Sequence, residues 1–188
     1  MSFGLNKFLK IVLPKSLFYR ALIIVAAPVI LLQIIITIVF FDSVWIKANK
    51  GMTRSLVAEI KLNKLIDEVM EKNELQGEQI AIGGFSQGCM ISLQTAIKRK
   101  KKINSIIGYS GKIIDTNHLK NNIITRPNII LMHGDKDEIV PVSFLLEAKE
   151  FFNTNNYRIE SQIFKNCEHR IPIEGSSLGL EFLKKNLQ

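Results

Sequence analysis

The sequence has 188 residues, 47% of them hydrophobic, and a formal net charge of +8. That is enough chain and apolar surface for one folded domain plus an extra segment. Its two cysteines, Cys89 and Cys167, exclude a disulfide scaffold; neither stands in a CxxC pair or beside histidines at metal-ligand spacing, so no metal site is expected and both read as small core residues.

The basic residues are dispersed apart from a run at residues 98–102. No aromatic residues interleave with that run, so it reads as the solvated end of a helix, and no nucleic-acid partner is expected.

Residues 1–20 form a basic N-terminal segment with Lys7, Lys10, Lys15 and Arg20. From residue 21 to 41 no residue is charged, and all but Pro28, Gln33 and Thr37 are apolar. As a helix this stretch is about 30 Å long, the thickness of a bilayer core. Fifteen of its residues are Leu, Ile, Val or Phe, an insertion gain of about 5 to 9 kcal/mol. A single transmembrane helix contacting membrane lipid is therefore expected, with Phe40, Phe41, Asp42 and Trp45 as an interfacial anchor and residues 42–60 as a juxtamembrane linker. This implies a single-pass protein of a bacterial cell membrane, in an orientation that the flanking charges leave open.

A hydrolase-like domain follows over residues 61–188. Leu62, Leu65, Ile66, Val69 and Met70 give helical spacing over residues 62–73. Residues 79–85 are a short apolar run ending in Gly83 and Gly84, and a new helical pattern runs from 88 to about 100, so Ser86 falls in a tight strand-to-helix turn. Further strands are expected at Ser105–Tyr109, 128–132 and 158–164, with helices at 142–153 and 174–186. Alternating strands and helices predict an α/β fold with a parallel sheet.

Gly84-Phe85-Ser86-Gln87-Gly88 fits G-x-S-x-G, the turn that exposes a nucleophilic serine; side chains at the glycine positions should collide there. The Gln87 N–H, at the start of the new helix, is the expected oxyanion-hole donor. In this architecture the nucleophile, an acid and a histidine follow in chain order, each after a successive strand. Asp137, beyond the strand that begins at Asn128, is the expected acid, with Asp135 and Glu138 as competitors. His169, after the strand ending at Phe164, is the only histidine downstream of the acid. His118 reads as a surface residue, and His133 as a residue that fixes the turn before Asp137. With Ser86, Asp137 and His169 the chemistry is acyl transfer through a Ser-Asp-His triad, which calls for no cofactor.

The run from Ile82 to Met90, the block His133 to Pro141, and Glu168-His169 together resemble the phospholipase/carboxylesterase family, which includes acyl-protein thioesterases. The resemblance covers about residues 61–188. It implies a partial α/β-hydrolase fold, the triad Ser86, Asp137 and His169, and ester, lysophospholipid or acyl-thioester substrates. The family's N-terminal strands and its Leu-His-Gly-like loop, which supplies a second oxyanion donor, have no counterpart here. Loss of one such donor costs about 10² to 10³ in rate. The strand ending at Phe85 would become an open edge suited to self-association.

A second resemblance lies in about residues 8–60. Leu13-Pro14-Lys15-Ser16-Leu17-Phe18, the apolar span and Phe41-Asp42-Ser43-Val44-Trp45 resemble the N-terminus of osmosensor-type sensor histidine kinases. Two further readings accompany the hydrolase: a catalytically impaired chimeric membrane protein lacking the second oxyanion donor, and a membrane interaction fragment derived from a sensor kinase.

Overall fold

The protein was analysed as a computed structural model that describes residues 17–187; within the first helix, the side chains of residues 17–24 and 41–52 lie outside the description. By compactness the chain divides into Met1–Thr53 and Arg54–Gln188.

The first helix, α1, runs from Leu17 to Lys72 without a break. Among the described residues no helix is long and apolar enough to cross a membrane. The expected transmembrane helix over residues 21–41, and with it the single-pass membrane location and the lipid contact, are corrected on this finding. Residues 42–60 continue the same helix, carrying Lys47, Lys50 and Arg54 along it. Phe41, Asp42 and Trp45 lie outside the described side chains, and Lys7, Lys10 and Lys15 outside the described residues.

The second unit is built on a four-stranded parallel sheet: β1 Ala81–Phe85, β2 Ser105–Tyr109, β3 Asn128–Gly134 and β4 Glu160–Phe164, in the order β1-β2-β3-β4. Between and after them come α2 Gln87–Lys98, the short α3 Thr116–Lys120, α4 Ser143–Thr154 and α5 Ile173–Asn186. The central strands β2 and β3 are almost wholly buried, as strands covered on both faces must be, whereas the edge strands β1 and β4 are only partly buried.

Alternation along the strands sends successive side chains to opposite faces. Ile106, Ile129 and Leu131 pack with Leu93, Ala96 and Ile97 of α2, Leu145 and Phe152 of α4, and Ile66 near the end of α1. Ile107, Ile130 and Met132 pack on the other side with Phe182 of α5. Every strand therefore runs toward the same end of the sheet, and the loops leaving β1, β3 and β4 gather there.

The basic run behaves differently from the expectation of a solvated helix end. The helix stops at Lys98, and Arg99 is buried, donating to the carbonyl and side-chain oxygens of Asn63 at 3.1 and 2.7 Å and to Asp67 Oδ1 at 2.6 Å. Lys98 pairs with Glu59 at 2.5 Å. Partners more than thirty residues upstream on α1 draw these two cations inward; Lys100, Lys101 and Lys102 remain exposed.

Candidate active site

β1 ends directly in Ser86, whose backbone takes φ 52°, ψ −117° before α2 begins at Gln87. A serine with positive φ is strained by about 1 to 3 kcal/mol, and such strain persists only where the surroundings impose it. Here the Ser86 N–H donates to the Tyr109 carbonyl at 2.8 Å, and the Ser86 carbonyl accepts from Met90 N at 3.2 Å. The turn is thus clamped between β2 and the first turn of α2. Gly84 makes this possible: a Cβ there would lie 2.3 Å from the Gly88 carbonyl carbon and 2.4 Å from Cys89 N. Gly88 does not match the expectation of collision at both glycines, because a Cβ on it meets nothing within 4 Å. It lies on a free face of the helix, so only the first glycine of the motif is sterically required. Gln87 is the first residue of α2, and its N–H is among the donors that a helix start leaves without an intrahelical acceptor.

The loop after β3 folds around Asp137. Its Oδ1 accepts from Ile139 N at 3.0 Å and Val140 N at 2.8 Å, and its Oδ2 accepts from His169 Nδ1 at 2.8 Å. Asp135 and Glu138 are exposed, whereas the Asp137 side chain is fully buried. Asp135 serves the site in a different way, since its Oδ1 accepts from Cys167 N at 3.3 Å and so holds the loop that carries His169.

Burial pushes the Asp137 carboxyl up. The Val140 N–H, the His169 ring, the Ser110 hydroxyl and the charge that His169 can carry outweigh that effect and leave it below the usual aspartate value. Asp137 is therefore ionised at neutral pH and can hold the Nδ1–H tautomer of His169, leaving Nε2 free to accept a proton.

His133 Nε2 donates to the Val140 carbonyl at 2.7 Å and stands 3.4 Å from Asp137 Oδ2, so it does fix the turn around the acid. His118 sits exposed on α3.

The His169 loop reaches Asp137 because Gly134 lets it lie against the end of β3. A Cβ at Gly134 would stand 2.1 Å from the Cys167 carbonyl oxygen. Backbone bonds seal the contact, from Asp135 N to Phe164 O at 3.0 Å and from Lys136 N to Cys167 O at 2.9 Å.

His169 is brought beside the serine turn by Phe85, whose ring centroid lies 4.7 Å from the imidazole. Among the described residues no hydrogen bond joins Ser86 to His169; catalytic hydrogen bonds of unliganded sites are often long and tighten on binding. A depression of about 560 Å³, lined by Lys136, Glu138, Ile139, Glu168, His169 and Arg170, opens at this point.

The phospholipase/carboxylesterase family model matches residues 19–187. The chain belongs to that family. Acyl-protein thioesterase 1 of Saccharomyces cerevisiae is 34% identical over 134 residues, which are 67% of this chain and 57% of the yeast protein. The protein of the same name from Aspergillus fumigatus is 35% identical over 130 residues, 65% of this chain and 53% of that one. This family member thus spans somewhat more than half the length of those relatives.

Among solved structures, the esterase PE8 superposes with a TM-score of 0.68 at 26% identity, covering 71% of this chain and 62% of PE8. SOBER1 of Arabidopsis thaliana shares the fold, with a TM-score of 0.67 at 20% identity over 71% of this chain and 65% of that one. The parallel α/β sheet expected from strand and helix alternation and the α/β-hydrolase fold implied by the family resemblance are therefore shown. The family match extends back to residue 19 and takes in most of the stretch that resembles sensor-kinase membrane segments; that second resemblance is not shown.

Proposed function

We propose that this chain is a serine hydrolase of the esterase and thioesterase type, acting through Ser86, Asp137 and His169 within a hydrolase domain of residues 61–188. The observation that carries the reading is the 2.8 Å bond from His169 Nδ1 to a buried, ionised Asp137, one residue's ring away from a serine held at positive φ.

His169 Nε2 takes the Ser86 proton as Oγ attacks the acyl carbon. Asp137 stabilises the imidazolium that forms, and the Gln87 N–H donates to the developing oxyanion. His169 returns the proton to the leaving alcohol or thiol, and water then releases the acid by the same route. The exposed apolar side chains of Phe85 and Ile139, beside His169, suit a substrate whose acyl part is apolar.

The 188-residue chain treated with a fluorophosphonate probe should become covalently labelled, with labelling lost in Ser86→Ala and cut by orders of magnitude in His169→Ala. Equal labelling of the wild type and Ser86→Ala, in folded samples, would sink the reading.

A further inference from the structure

Two imidazoles flank the same carboxylate oxygen. Asp137 Oδ2 is 2.8 Å from His169 Nδ1 and 3.4 Å from His133 Nε2, and the two rings differ in setting. The His169 side chain is 14% exposed and borders the depression, whereas that of His133 is 1% exposed near the end of β3. β3 is held on both sides at this point, by the Ser110 N–H donating to the Met132 carbonyl at 2.9 Å and by the pairing of His133 with Ile163 of β4.

His133 Nε2 lies 2.7 Å from the Val140 carbonyl oxygen. A carbonyl only accepts, so Nε2 carries the hydrogen and cannot take a proton from the serine. Val140 in turn donates its N–H to Asp137 Oδ1 at 2.8 Å, the shorter of the two backbone bonds to that oxygen. His133 therefore reaches both oxygens of the acid: Oδ1 through Val140, and Oδ2 through the positive end of its N–H, 3.4 Å away. Ile139 and His169, which also hold the carboxylate, belong to loops, while His133 belongs to a strand. A site supported from a rigid element keeps its geometry more closely than one supported by loops alone.

We propose that His133 is a positioning residue that ties Asp137 to the end of β3, so that the carboxylate keeps His169 aimed at Ser86. The role in catalysis rests on the proposed Ser86, Asp137 and His169 reading; the contacts of His133 do not. A displaced acid lets the His169 ring turn away, and a small misplacement of reacting groups slows the chemical step. The loss of His133 therefore falls on kcat and leaves KM as it was.

The test uses the 188-residue chain with para-nitrophenyl butyrate as substrate, and NMR of protein carrying ¹⁵N-labelled histidine. His133→Phe, which fills the space without a donor, lowers kcat about tenfold at unchanged KM. His133→Gln, whose amide nitrogen falls near the Nε2 position, recovers most of that loss. The Nε2–H signal of His133 moves in Asp137→Asn, because the negative neighbour is gone. Should His133→Phe not fold, His133→Asn, polar but too short to reach Val140, carries the same comparison. An unchanged kcat in a folded variant without the donor, an equal loss in the Phe and Gln variants, or a ring signal indifferent to Asp137→Asn overturns the proposal. Wild-type protein that does not turn over the ester defeats the catalytic reading alone, because the ring signal still decides whether His133 senses Asp137.

Discussion

Asp137 concentrates most of the electrostatics of the site on one side chain. Its carboxyl is fully buried, which pushes it up, yet the Val140 N–H and the His169 imidazole help to keep it below the ordinary aspartate value. Because the folded-state value is depressed, the stability it contributes is complete above the unfolded value and is lost as the pH falls through the folded one. The urea midpoint of the wild type should therefore decline at acid pH, and Asp137→Asn should lack that part of the decline. The same substitution presents His169 with the wrong tautomer and should lower kcat about 10⁴-fold with the fold retained, a loss readable on a chromogenic ester.

Asp137 was legible in the sequence as a candidate acid after the third strand, in competition with Asp135 and Glu138. What separates the three is burial and the direction in which the loop turns, and no local pattern encodes either.

Elements bring these side chains together by lying unusually close. β1 enters α2 through Gly84, and the loop after β4 rests on the end of β3 through Gly134. Gly134→Ala should force the His169 loop away from Asp137, costing about 1 to 3 kcal/mol in denaturant unfolding and most of the labelling by a fluorophosphonate. Gly88→Ala should do the opposite: with open space around it and a helix to stabilise, it should gain up to about 1 kcal/mol and keep its labelling.

Strand and helix alternation was visible in the sequence because apolar runs of five to seven residues bounded by glycine and polar turns have few other solutions. The five-residue α3 escaped notice, being too short to show a period. The burial of Arg99 escaped as well, since its partners Asn63 and Asp67 lie on α1, far away in the chain.

The second unit as a whole is a sheet covered unequally. Four helical segments supply the first face, including the end of α1 through Ile66, while the second face rests on α5 and Phe182. Phe152, wholly buried and edge-on to Phe151 and Tyr157, anchors the first face. Phe152→Ala and Phe182→Ala should each cost about 3 to 5 kcal/mol, measured as a fall in the urea midpoint at constant slope. A clear difference between them would show which face relaxes more easily around the cavity.

Sequence alone determined the identity of most elements and the strand-to-helix turn at Ser86, because each rests on contacts between residues a few positions apart. Tertiary structure decided the rest. It buried Asp137 and left Asp135 and Glu138 exposed, set His133 beside Asp137, drew Arg99 inside, and ran α1 on as one helix where a membrane span and a linker had been expected. These outcomes depend on which distant segments meet, and burial and hydrogen-bond partners exist only once the sheet has brought those segments together.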